Sequence, residues 1–138
     1  MFFYLQYQKA NTMNTLLVIL QAMMAIVFLY SGINKSIFSI PELVHSKGQT
    51  GVENLPLPLV RFIGISEILG SVGLIAPWYF NILPILTPIA ASLFAIIMVP
   101  AAVIHYKRKE PKNVFVNVVL FSICIVIAYY RFHLYGHR

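Results

Sequence analysis

The sequence predicts an all-α integral membrane protein, a four-helix transmembrane bundle with a short interfacial helix between its first two spans. Three observations carry this. Apolar residues make up 59% of the 138-residue chain and charged residues 10%, against roughly 45–50% and about 25% in average globular chains. Mean hydropathy is +0.81, so too few charges exist to coat a water-facing surface. Four apolar stretches each approach the roughly 20 residues that a hydrocarbon core about 30 Å thick requires. No sustained alternation of period two appears, which argues against a transmembrane β-barrel.

The expected organisation is an N-terminal segment (1–14), one transmembrane domain (15–131) and a C-terminal tail (132–138). The first span covers 15–33, with Gln21 as its main interior polar residue. It is longer than a signal-peptide core and no A-x-A-like cleavage site follows. The connection that follows contains "SIPELV" (39–44), where Ser39 and Glu42 stand at capping-box spacing ahead of Leu43 and Val44. With Ile37, Phe38 and Ile40 nearby, this predicts a short helix near 39–47 lying on the membrane surface. Gly48 and Gly51 loosen the chain, and Pro58 falls in the first turn of the second span, where a missing N–H costs nothing.

The second span covers 57–76, and Pro77 is expected to end it because proline cannot continue the hydrogen-bond ladder. Trp78, Tyr79 and Phe80 read as an interfacial anchor in a very short connection. The third span covers 82–104; Pro84 and Pro88 are expected to bend its outer end and Pro100 its inner end. The fourth covers 114–130.

Net charge is +6, and its distribution matters more than its sum. With four spans both termini share a side. The two charged connections hold Lys35, Lys47, Lys107, Arg108, Lys109 and Lys112, with Arg61 just inside; the terminal side holds Lys9, Arg131 and Arg138. The positive-inside rule then places the connections in the cytoplasm and both termini on the non-cytoplasmic side of a plasma or inner membrane. The basic run 107–112 is short and flanks a span, so it reads as a topology anchor facing anionic lipid and not as a nucleic-acid site.

Arg61 and Glu67 stand out in the second span. A charge at mid-helix costs roughly 2.5–3.5 kcal/mol. The span's Leu, Ile, Val and Phe residues supply roughly −0.3 to −0.6 kcal/mol each, so gain and cost nearly cancel and the polar face must turn inward. Gly64, Glu67 and Ser71 fall on one stripe, where small residues let another helix approach closely. Counted by depth, Asn34, Lys35, Arg61, His105 and Asn117 share one half of the bundle, with Glu67 near the midplane. If they converge they form a polar pocket with Glu67 at its floor, and intramembrane ionisable residues are by default a functional hypothesis. Anchoring by snorkelling is the competing reading for Lys35, Arg61 and His105, which lie near span ends.

Other chemistries find little support. Cys124 is the only cysteine, so neither an internal disulfide nor a Cys-x-x-Cys pair can form. The chain has no Asp, no glycine-rich phosphate loop and no His/Cys metal spacing. His105 and His133 fall at opposite ends of the bundle, which argues against a haem held between them.

"YSGINKS" (30–36), "IGISEILGSVGLIAP" (63–77) and "AASLFAIIMVPAAVIH" (90–105), followed by Arg131, together resemble the DoxX-like family of small four-helix membrane proteins. The resemblance covers about residues 15–131 and marks Gly32, Lys35, Glu67, His105 and Arg131 as family-pattern positions. It implies an accessory membrane subunit linked to quinone-dependent redox complexes or to assembly, not an enzyme on its own. The expectation is therefore a bilayer-embedded subunit that binds a membrane or redox protein partner, or a hydrophobic small molecule such as quinone, in the pocket. His105 or Lys35 would donate to a quinone oxygen and Glu67 would relay a proton. The alternative is a structural assembly factor in which Glu67 pairs with Lys35 or Arg61. A small transporter comes third, because four spans without an evident repeat suit one only if the protein forms a homo-oligomer.

Overall fold

The computed structural model describes residues 1–137. Five α-helices carry the chain: α1 (Phe2–Ile37), α2 (Ile40–His45), α3 (Leu57–Tyr79), α4 (Leu86–Lys107) and α5 (Pro111–Gly136), with one 3-10 turn at Thr50–Val52. No strand occurs among the described residues. α1, α3, α4 and α5 are each long and apolar enough to cross a membrane. α1 packs along α3 and α4 along α5, α3 meets α4, and the ring closes at the α1–α5 seam, where contact is least.

Close approach of α1 and α3 rests on the predicted small-residue stripe. Gly64, Glu67 and Ser71 are all buried. A Cβ on Gly32 would stand 2.6 Å from the Gly64 carbonyl oxygen, and one on Gly64 would stand 2.8 Å from Lys35 Cβ. Larger side chains fill the centre, where Phe28 and Phe94 stack with ring centroids 3.7 Å apart among Met24, Leu74, Cys124 and Ile127. Ile26, Leu69, Ile96 and Phe115 point outward and are exposed, as expected where lipid is the solvent.

The α2 capping box forms: the Ser39 N–H and hydroxyl donate to Glu42 Oε2 at 2.8 and 2.7 Å. These bonds hold the Glu42 carboxyl below its ordinary value. α2 also does more than lie on a surface, since Leu43 is buried against Val52 and Val60 and ties the connection to the base of α3.

Two local expectations are corrected. Pro77 does not end α3, which runs on to Tyr79. Proline leaves the carbonyl four residues back without a donor, and here the Thr87 hydroxyl from α4 donates to Gly73 O at 3.1 Å. The third span begins at Leu86, because Asn81 and Leu83 adopt left-handed backbone (φ 55° and 48°). Pro84 therefore precedes α4 and Pro88 lies in its first turn, where neither needs to bend the helix. α1 starts at Phe2 and so takes in the N-terminal segment as well as the first span. Its 36 residues reach about 54 Å, well beyond the hydrocarbon core.

Candidate functional site

A cavity of about 450 Å³ lies between the four long helices, at the end of the bundle away from the termini. Its walls are mainly apolar, with Phe28, Ile63, Met98 and Leu120 each from a different helix. Four residues expected in a common pocket, Lys35, Glu67, His105 and Asn117, line it. Lys35 Nζ donates to Glu67 Oε1 at 2.8 Å and to Ser31 Oγ at 2.9 Å. The Glu67 side chain is only 3% exposed, and its Oε2 has no hydrogen-bond partner among the described residues.

Arg61 and Asn34 share this depth but do not line the cavity. Arg61 Nη1 donates to Lys35 O at 2.7 Å and Nη2 to Ile37 O at 3.3 Å. The guanidinium thus caps the last carbonyls of α1, which lack intrahelical donors and carry the negative end of the helix dipole. Asn34 is buried with its Nδ2 unpartnered among the described residues, while its backbone oxygen accepts from Phe38 N–H.

The sequence reading missed Ser31, Gln49 and Asn113, which also line the cavity. Ser31 stands four residues before Lys35 and Asn113 four before Asn117, so helical spacing already placed both on the right faces. Gln49 carries no such signal, because it sits in the irregular segment ahead of the 3-10 turn.

That segment is a lid. Gly48, Gln49, Gly51, Val52 and Leu55 line the cavity, and polar bonds fasten the segment to α1 and to the α4–α5 connection. Ser31 Oγ donates to Gln49 Oε1 (3.3 Å), Thr50 Oγ1 donates to Glu110 Oε2 (2.8 Å), and Arg108 Nη1 pairs with Glu53. Glu110 is the hub: His105 Nδ1 lies 2.6 Å from its Oε2, Asn113 Nδ2 donates at 3.1 Å, and Arg108 Nε donates to Oε1 at 3.1 Å. The His105 bond, then those from Asn113, Thr50 and Arg108, outweigh partial desolvation and hold the carboxyl down at about 2.

The sign of the pH effect follows from that depression. The stabilisation from Glu110 is complete above its ordinary value of 4.5 and is lost as pH falls from there through about 2. The melting temperature in mild detergent should therefore drop on acidification through this window, and Glu110→Gln should flatten the drop. A variant profile parallel to wild type would remove Glu110 as the latch.

A second polar cluster lies at the other end of the bundle. Arg131, a flanking outer charge by the sequence count, is fully buried. Its Nε donates to Gln21 Oε1 and its Nη1 to Asn14 Oδ1, both at 2.6 Å, and the guanidinium lies 4.2 Å from the Trp78 ring centroid. Gln21 Nε2 in turn donates to Leu74 O. Gln21 is 14 residues from Lys35, about 21 Å along α1, so the two clusters are separate.

No curated protein and no solved structure shows significant similarity to this chain. A family model for the DoxX-like family matches residues 19–127, a stretch that includes Gly32, Lys35, Glu67 and His105 and stops short of Arg131. With four membrane-crossing helices and a match over most of its length, the chain belongs to the DoxX-like family.

Proposed function

We propose that this protein is a membrane subunit that holds a hydrophobic small molecule with a polar head, of the quinone type, in the cavity beneath the lid. One observation carries the reading: a buried Lys35–Glu67 ion pair forms part of an otherwise mainly apolar wall around about 450 Å³. Ligand sites combine this size and apolar lining with a few convergent polar groups. Because Lys35 and Glu67 neutralise each other, the site favours a neutral head bearing oxygen acceptors over an anion. A quinone ring fits this donor set. Lys35 is the donor that a carbonyl oxygen of such a ring would meet, and Glu67 is the group placed to hold a proton. His105 contributes its remaining ring edge, since its Nδ1 is engaged by Glu110. Such a ligand supplies two-electron redox chemistry when bound, and the electrons come from a partner protein. The sole cysteine, Cys124, is buried in α5 and offers no reactive thiol. The charge count supports an inner or plasma membrane orientation with the lid in the cytoplasm.

The pair also favours a second reading. It bridges α1 and α3 beside the Gly32–Gly64 crossing, which suits a structural assembly factor. Solvent extraction of protein purified in mild detergent, followed by mass spectrometry, separates the two. A ligand site yields stoichiometric quinone or a similar neutral amphiphile, and Glu67→Gln loses it while the protein remains folded. An empty extract, with Glu67→Gln changing only the melting temperature, leaves the structural role.

A further inference from the structure

The cavity is bounded by the lid at one end and by the helices around its sides. From the aqueous side the lid is fastened at Ser31, Glu110 and Arg108. From the side, the weakest wall is the α1–α5 seam, the least extensive of the four neighbouring helix contacts. The seam is clamped at the terminal end, where Arg131 of α5 donates to Gln21 and Asn14 of α1. Towards Lys35 the cavity lies between the same two helices. Val27 on α1 and Val116 on α5 both line it, yet they are 43% and 50% exposed. Each has one face on the cavity and one on the lipid-facing surface.

We infer that the ligand enters sideways from the bilayer between α1 and α5, and is an amphiphile whose neutral head reaches Lys35 and Ser31 while its apolar tail passes out between Val27 and Val116. This rests on the reading of the cavity as a ligand site and adds its route and its class. A tail that stays in lipid needs no volume inside the protein, so about 450 Å³ has to accommodate only the head. The apolar rim suits a tail, because nothing in hydrocarbon can satisfy an exposed polar group.

The test uses the full chain in lipid nanodiscs, with a benzoquinone carrying a decyl tail and the same benzoquinone without it as probes. Val27→Trp and Val116→Trp narrow the opening. Ile26→Trp and Val118→Trp place the same ring at exposed positions outside the cavity lining. Leu59→Trp narrows the competing α3–α4 side, because Leu59 also lines the cavity and is 42% exposed. The tailed probe should bind wild type and weaken about tenfold or more in both opening variants alone. Val116→Ala, which widens the gap, should bind at least as well as wild type. Unchanged melting temperatures show that the variants fold. Opening variants that bind like wild type, or a loss seen at Leu59→Trp instead, overturn the lateral route and leave the cavity as a ligand site. A wild type that binds neither probe overturns the ligand site and the route with it.

Discussion

Lys35→Met should destabilise the protein by about 3–5 kcal/mol, the usual cost of removing one member of a buried pair. Glu67 is left with both oxygens unsatisfied in an apolar wall, since Oε1 loses its only cation and Oε2 has no partner among the described residues. The reverse change should cost less. In Glu67→Gln the Lys35 amine keeps Ser31 at 2.9 Å. Its side chain, 13% exposed against 3% for Glu67, can also shift its head towards the lid. Its cost should be about 1–2 kcal/mol, the range of one buried hydrogen bond. The double variant Lys35→Met/Glu67→Leu should regain most of the loss, because an apolar pair of similar volume replaces two desolvated charges. Thermal unfolding of wild type, Lys35→Met, Glu67→Leu and the double variant in one detergent closes the cycle and isolates the coupling. A Glu67→Gln loss larger than that of Lys35→Met would refute the asymmetry. The double variant also separates stability from binding, for it should fold and yet fail to hold a quinone.

Gly32→Val should be at least as damaging, by a different mechanism. Its Cβ would meet the Gly64 carbonyl oxygen at 2.6 Å, Ile68 Cγ1 at 2.9 Å and Glu67 Cβ at 3.0 Å. The first contact is backbone, which cannot rotate aside, so α1 and α3 must separate and draw Lys35 from Glu67. Gly32→Ala should cost about 1–3 kcal/mol, the ordinary range for overpacking, and Val more. Gly136→Ala is the control, because nothing stands within 4 Å of its added Cβ. Equal melting temperatures for Gly32→Ala and Gly136→Ala would mean that the helices do not cross this closely in the membrane.

The parts of this architecture legible in the sequence are those with a local cause. The four spans follow from composition and length, the closely packed face of α3 from Gly64, Glu67 and Ser71 at helical spacing, and α2 from Ser39 and Glu42. The shared depth of the polar residues placed Lys35, Glu67, His105 and Asn117 at one level, and they line one cavity from four helices. What was hidden depends on partners far along the chain. Pro77 is tolerated inside α3 because Thr87 reaches back from α4. Arg61 leaves the cavity wall because the end of α1 offers it carbonyls. Arg131 turns inward because Gln21 and Asn14, over a hundred positions earlier, present oxygens to it. The lid has no periodicity to read, and its order comes from Glu110, 60 positions along the chain from Thr50.

The arrangement of the pair has a biosynthetic side. Lys35 lies at the end of α1 and Glu67 in the middle of the next long helix, and these two helices pack together. A nascent α3, barely apolar enough to partition alone, therefore meets its counter-ion already waiting at the translocon. α1 and α3 can leave as a hairpin with this pair of charges neutralised before α4 and α5 are made. On this view the ion pair acts as a checkpoint on membrane insertion, passed before there is any cavity to fill.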